Sequence, residues 1–237
     1  MPDPTPLPAR RAAALLLAGL GACGALACAG LPDYAAPKGE VVDPRTLGPS
    51  DVIPYRTLSR ADFRGERPPE GFAPYAAQIG AATCAHILTV PETRVAIRAE
   101  RSPDGGQVYR AAPEHLRFHA QMDRSCSWWN PGDVRLPPDY VLQHEQIHFA
   151  LFELEARRLN ASLAEIEARL HVTGESPEEA ALRAQQQLDQ ELRRRIDSIL
   201  ARSRRFDEET SMGHRPEAQE RWWARVQAEL AEGAAGP

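Results

Sequence analysis

The side chains best suited to chemistry lie within the segment HEQIH, which supplies His144, Glu145 and His148. On an α-helix, residues four apart project from the same face, so both imidazoles can bind one metal ion. The glutamate between them is then placed to accept a proton from a metal-bound water, which is the HExxH arrangement. We therefore expect a Zn²⁺ site with two histidine ligands and Glu145 as general base. The alternative is a chance spacing on a charged helix.

Two long helices must position these side chains. Pro138 and Asp139 suit a first helical turn, and apolar residues then recur at helical spacing until Gly174 ends the pattern. A second helix is predicted from the capping box Ser176–Glu179 to at least Arg205. Its apolar stripe comprises Leu182, Leu188, Leu192, Ile196, Ile199 and Phe206. Because the link is short, the two helices are expected to form an antiparallel pair.

The third metal ligand is expected on the second helix. Catalytic zinc usually has three protein ligands and one position left for water. In the predicted pair, the rise of about 1.5 Å per residue brings residues 206–210 level with HEQIH, and the helical phase places Asp207 on the buried stripe. Asp207 is therefore the predicted third ligand. Glu209 replaces it if the helix unwinds earlier, and His214 is a candidate ligand or oxyanion donor. The alternative is a solvated helix end with a surface histidine.

The residues before these helices, 51–129, show short strand signals. Apolar and polar residues alternate over Thr93–Glu100 and again over His115–Met122, which is typical of half-buried strands. Asp104-Gly105-Gly106 indicates a turn, from which Gln107–Arg110 can return as a hairpin. The order of strands followed by helices predicts an α+β fold with a small N-terminal β-sheet.

The N-terminus has the pattern of an export signal. Two arginines precede a short apolar run, which ends in Leu-Gly-Ala-Cys at Cys23. This predicts a lipoprotein signal peptide over residues 1–22 and a lipid anchor on Cys23. The alternatives are lipidation of Cys28, or a plain secretory signal cleaved near Ala27 or Ala29.

The predicted organisation follows from this signal. Residues 23–50 are rich in proline and glycine and are expected to form a disordered tether. Residues 51–230 form the predicted domain, and residues 231–237 a disordered tail. The expected location is the bacterial cell envelope, with the lipid anchor in the outer membrane and the domain facing the periplasm. Membrane contact is expected through this anchor.

Export also sets an expectation for the cysteines. In an oxidising compartment Cys84 and Cys126, both inside the predicted domain, are expected to form a disulfide; the alternative is two buried thiols.

The formal net charge is −5, and no cluster of Lys and Arg with interleaved aromatic residues is present in the sequence. Nucleic acid is therefore not an expected partner.

Several motifs resemble those of the domain of unknown function 922 family, a family of predicted secreted zinc-dependent proteases. They are LSRADFRG at residues 58–65, LQHEQIHFALFELEARRL at residues 142–159 and FDEETSMG at residues 206–213, followed by Gln219 and Trp222. The resemblance implies a zincin-like fold, with the HExxH active-site helix and a long antiparallel return helix, together with a Zn²⁺ cofactor and a protein or peptide substrate.

Three positions depart from the family pattern. Arg60 stands in place of an expected tryptophan, and Ala150 in place of the aspartate after HEQxHF. The family histidine after Thr-x falls on Met212, with His214 two residues later. If that histidine binds metal, a ligand is lost or moved here, whereas if it assists the reaction, zinc stays and the rate falls.

Together these patterns predict a zinc metallopeptidase in the cell envelope, in which water attacks a peptide bond. The strand at His115–Trp128 is expected to line the cleft and pair with an extended peptide. Candidate residues for stabilising the oxyanion are Tyr140, His214 and Arg215. The alternative is a non-catalytic envelope lipoprotein that binds a partner through its helix pair, with zinc structural or lost. An open fourth coordination position distinguishes the two.

Overall fold

The computed structural model describes residues 47–132 and 135–234. The chain first forms strands β1 (Val52–Pro54), β2 (Ala81–Thr89), β3 (Arg94–Arg101), β4 (Gln107–Glu114) and β5 (Phe118–Trp129). It continues as α1 (Pro138–Ala161), α2 (Leu163–Leu170), β6 (Val172–Gly174), α3 (Pro177–Thr210) and α4 (Pro216–Ala234). Short 3₁₀ helices lie at Arg60–Asp62 and Glu70–Tyr75. This order of elements confirms the α+β class.

The predictions for the N-terminus fall almost wholly outside the described residues. The signal peptide, Cys23, Cys28 and the tether up to residue 46 belong there. The last residues of the predicted tether contact the fold, because the Arg64 and Arg124 guanidinium groups donate to the Ser50 carbonyl. At the other end, α4 continues through Ala234, so the helix extends beyond the predicted boundary at residue 230. No helix among the described residues is both long and apolar enough to cross a bilayer.

The strands form two antiparallel sheets of three strands each, where one small sheet was predicted. The first has the order β1-β5-β2 and the second the order β3-β4-β6. The predicted hairpin corresponds to β3 and β4. It lies in the second sheet, because β4 also pairs with β6, a short strand between two helices that the sequence analysis did not predict.

Strand β5 is the middle strand of the first sheet. It begins at Phe118 rather than at His115, because His115 has a left-handed φ of 55°. Phe118, Ala120 and Met122 alternate toward the core, as predicted. Within the described residues, β5 pairs with β2 along most of its length and with β1 at Gln121–Asp123 on its other side, so it is a middle strand. The predicted pairing of substrate with β5 as an edge strand is therefore wrong. The edge that lies beside the helices belongs to β2.

Helix α1 is the central helix of the fold. Pro138 occupies its first turn, as predicted, and the run from Ile147 to Leu151 is almost completely buried because sheet and helices cover it on several sides. The helix ends at Ala161, where the Ser162 amide donates to the Arg158 and Leu159 carbonyls. The predicted continuation to Gly174 is therefore wrong, since α2 and β6 occupy those residues.

Helix α3 is the predicted return helix. The Ser176 side chain accepts from the Glu179 amide, while the Glu179 carboxylate accepts from the Glu175 amide, one residue before the predicted capping-box partner. Its stripe is buried at Leu188, Ile199 and Phe206. Leu182 is 57% exposed, so its assignment to the stripe was wrong. The first turns of α3 pack on the second sheet through alanine residues instead.

Candidate metal centre

Three of the predicted ligands meet at one buried point between α1 and α3. The His144 Nε2 atom lies 3.0 Å from Asp207 Oδ1, and the His148 Nε2 atom lies 3.1 Å from the same oxygen. The two Nε2 atoms are 3.2 Å apart. Three ligands held tetrahedrally at about 2.0–2.1 Å from a zinc ion are separated by roughly 3.3 Å. The donor atoms therefore already have the mutual spacing of a metal's coordination sphere.

The chemistry of these donors also fits a divalent metal. Two imidazole nitrogens that face each other repel unless a proton or a cation lies between them. Imidazole and carboxylate ligands together suit Zn²⁺. Among the described residues, His144, His148 and Asp207 are the group of His, Cys, Asp and Glu side chains that can hold a metal ion.

Gln219 on α4 sets the tautomer of His144. Its amide nitrogen donates to the Tyr140 carbonyl and to the Gln143 Oε1 atom, which fixes the orientation of the amide. The amide oxygen then lies 3.0 Å from His144 Nδ1 and can only accept, so Nδ1 carries the proton. This leaves the Nε2 lone pair of a neutral His144 directed at the site. Phe206, fully buried, packs against the His144 ring with centroids 4.4 Å apart.

The carboxylate and the second histidine of the site stabilise each other electrostatically. Burial alone would raise the pKa of Asp207, but the charge of His148 and the hydrogen bond from His148 hold that pKa below its usual range. Burial alone would lower the pKa of His148, but Asp207, with a contribution from Glu145, raises it. Asp207 is therefore ionised and able to bind a cation.

The predicted general base is held by the edge strand. Glu145 is 3% exposed, and its Oε2 atom accepts a hydrogen bond of 2.7 Å from the Thr83 hydroxyl. The neighbouring residue, Cys84, forms a disulfide with Cys126, which is the pair that the sequence analysis favoured. The Ser127 hydroxyl accepts from the Cys84 amide at an irregularity of the β2–β5 register. The disulfide therefore joins the two strands beside Thr83.

The two alternative ligands point elsewhere. Glu209 accepts hydrogen bonds from the Trp222 indole and from Arg205, on the opposite side of α3 from Asp207. This separation is the one expected for residues two apart on a helix that does not unwind. His214 is exposed, and its Nε2 atom lies 3.0 Å from the Gln78 carbonyl.

The residues that follow α3 turn back over the site. Ser211, Met212 and Gly213 all have positive φ, and a Cβ atom on Gly213 would lie 3.4 Å from His144 Nδ1. Glycine at this position therefore allows the chain to approach the ligand closely. Met212, at the family's histidine position, packs partly buried against a small apolar cluster and lines the pocket. Ala150, at the family's aspartate position, is fully buried in the core.

A groove of about 430 Å³ passes over the three ligands. Its lining residues come mainly from β2, α1 and α3, together with Met212 and Gly213. Two hydroxyl groups among its lining residues, those of Tyr140 and Ser203, are buried and have no hydrogen-bond partner within the described chain. Tyr140 was a candidate helper in the sequence analysis, whereas His214 and Arg215 are not among the described lining residues.

Sequence reasoning had not identified the supporting roles of Thr83 and Gln219. A threonine in an apolar strand carries no signal of this kind, although Gln219 was part of the family-like motif. In comparisons with known proteins, no family model, no curated protein and no solved structure matches this chain. The resemblance to the domain of unknown function 922 family therefore stays a prediction from its motifs.

Proposed function

We propose that the chain is a zinc-dependent peptidase of the bacterial cell envelope with a zincin-like active site. The observation that carries the proposal is the convergence of His144, His148 and Asp207 below a groove, with Glu145 beside them. Three parts of this proposal rest on the sequence alone: the envelope location, the lipid on Cys23 and the resemblance to the domain of unknown function 922 family.

The chain's own residues would divide the work as follows. Zn²⁺ held by His144, His148 and Asp207 would supply a Lewis acid for the attacking water and the scissile carbonyl. Glu145, kept in place by Thr83, takes the proton of the attacking water and returns it to the leaving amine. Burial raises the pKa of Tyr140, so its hydroxyl stays protonated and can donate to an oxyanion in the groove.

The edge of β2 supports a peptide substrate. This strand pairs only with β5 among the described residues, and residues 81–88 line the groove. An unpaired strand edge offers backbone N–H and C=O groups in a row, which an extended peptide can pair with. The substrate is therefore expected to bind beside β2, directly over the three ligands.

The partner-binding alternative receives less support from the described residues. Structural zinc takes four protein ligands, whereas three donor side chains converge among the described residues, which is the number typical of a catalytic site. The alternative also needs an unoccupied apolar stripe on the helix pair. The core residues of α1 and α3 are instead largely buried against the first sheet, against each other and against α4, and the half-buried Leu192 and Ile196 line the same groove as the three ligands.

The test is metal content and peptide hydrolysis of the purified chain beside three variants. We expect about one zinc per chain in wild type and in Glu145→Gln, with hydrolysis lost in the latter. Asp207→Ala should bind little zinc. Glu208→Gln, which removes the exposed carboxylate next in sequence, should retain both properties. A wild-type chain that cannot be loaded with zinc, or equal hydrolysis by Glu145→Gln, would refute the proposal.

A further inference from the structure

One face of α3 extends from the candidate metal ligand into an apolar wall. Asp207, Ser203, Leu200, Ile196 and Leu192 recur at spacings of three and four, and all of them line the groove. Residues at these spacings share one helical face. With a rise of about 1.5 Å per residue, this wall continues roughly 22 Å beyond Asp207.

Other elements add apolar side chains beside this wall. Phe152 on α1 and Ala85, Ile87 and Leu88 of β2 line the same groove, and we name these residues, with Leu192, Ile196 and Leu200, the apolar arm. The polar side chains that line the groove among them are His86, Asp189 and Arg193. Leu192 and Ile196 are half-buried and pack against the core, so their remaining surface is available to a ligand. An extended peptide advances about 3.3 Å per residue. The wall from Asp207 to Leu192 therefore has the length of about seven peptide residues.

We propose that the apolar arm selects the substrate, and that the substrate is an extended peptide with apolar side chains on one side of the scissile bond. This inference rests on the proposed peptidase function. A peptide fits better than a lipid acyl chain because the β2 edge offers backbone hydrogen bonds along the arm, which an extended peptide can form and a hydrocarbon chain cannot. The arm begins at the metal ligands, so a chain that occupies it continues directly over Glu145.

Binding is measured with the full chain carrying Glu145→Gln and loaded with Zn²⁺, so that no peptide is consumed. The probes are fluorescein-labelled twelve-residue peptides. One has an apolar N-terminal half and a Ser/Gln/Asp C-terminal half, the second has the halves exchanged, and the third is polar throughout. Unlabelled palmitoyl-glycine serves as an acyl competitor, and anisotropy gives the Kd values.

We expect one of the two half-apolar peptides to bind at least about tenfold more tightly than the polar peptide, which is the effect of burying one to two large apolar side chains. Leu192→Asn and Ile196→Asn should each weaken this binding about tenfold. Leu182→Asn, at an exposed position near the start of the same helix and outside the groove lining, should leave it unchanged. Unfolding midpoints check each fold, and Ile196→Ala repeats the test if the asparagine variant unfolds under assay conditions.

Equal binding of all three peptides, or binding insensitive to Leu192 and Ile196, would overturn the inference. So would displacement of every peptide by palmitoyl-glycine at lower concentration than by unlabelled peptide, which would identify an acyl site. Selective binding without cleavage of the same peptide by wild type would refute the peptidase while the peptide-binding arm stands. Failure of the inference is thereby distinguished from failure of the proposed function.

Discussion

Gln219 offers the sharpest test of how the fold prepares the metal centre. Gln219→Met removes the acceptor for His144 Nδ1 and keeps a side chain of similar length. Loss of a group that orients a metal-binding histidine typically weakens metal affinity 10- to 100-fold. Since the Gln219 amide supports one of three ligands, we expect a loss of zinc affinity at the lower end of this range, about tenfold or 1.4 kcal/mol. Gln219→Glu keeps an acceptor oxygen and should retain the affinity.

The stability of the same variant provides an internal comparison. Gln219→Met also loses the hydrogen bonds to the Tyr140 carbonyl and the Gln143 side chain, three in total with the His144 contact. At about 0.5–1.5 kcal/mol each, unfolding should become easier by roughly 1.5–4.5 kcal/mol. Gln146→Met is the matched control. Gln146 is a buried glutamine on α1, bonded to the Leu58 amide and the Arg56 carbonyl, away from the ligands.

The assay is a competitive Zn²⁺ titration of the metal-free chain against a chromophoric chelator at fixed pH, with urea unfolding in parallel. Gln146→Met should lose stability by about 1–3 kcal/mol while its zinc affinity stays at the wild-type value. The reasoning is refuted if Gln219→Met binds zinc as tightly as wild type. It is also refuted if Gln146→Met weakens zinc binding equally, because the loss would then follow from stability alone.

Three further predictions concern groups around the site and the fold. Thr83→Val, which removes the donor to Glu145, should leave zinc content unchanged and lower peptide turnover about tenfold; equal turnover, measured as kcat, would exclude a positioning role. Cys84→Ser should destabilise the fold by about 2–4 kcal/mol in urea unfolding, because the bond to Cys126 closes a loop of 42 residues in the unfolded chain; an unchanged midpoint would contradict this. Burial alone would raise the pKa of Asp62, but hydrogen bonds from an arginine and a serine lower this pKa below its usual 3.8. The ionised Asp62 therefore stabilises the fold above that pH, and this contribution is lost as the pH falls through the lower folded-state pKa. Asp62→Asn should therefore make the free energy of unfolding less dependent on pH below about 4, and an unchanged pH dependence would contradict this role of Asp62.

Local patterns were sufficient for much of the candidate site. The i, i+4 spacing fixed the common face of His144 and His148 before any fold was known, because helical geometry depends only on the backbone. The helix-pair argument also placed Asp207 correctly opposite them. It did so although α1 ends at Ala161, since the breaks at Ser162 and at β6 leave the direction of α3 and its length unaffected.

Errors arose where long-range pairing decides the structure. An alternating strand predicts which side chains face the core, but it does not reveal which neighbours the strand will have. The sequence therefore indicated β5 as a strand and could not distinguish a middle strand from an edge. Strand β6 was missed for the same reason, because three residues become a strand only through their pairing with β4. Leu182 matched the helical stripe, yet the partner surface does not reach it.

The sequence by itself determined the local chemistry of this protein: the two imidazoles, the adjacent glutamate and the helical phase of Asp207. Only the tertiary structure decided what surrounds them. The amide of Gln219 and the hydroxyl of Thr83 reach the site from elements 75 and 62 residues away from their partners, and the groove requires α3 beside the edge of β2. Helical spacing depends on neighbouring residues alone, whereas these contacts depend on how distant segments pack around a common core.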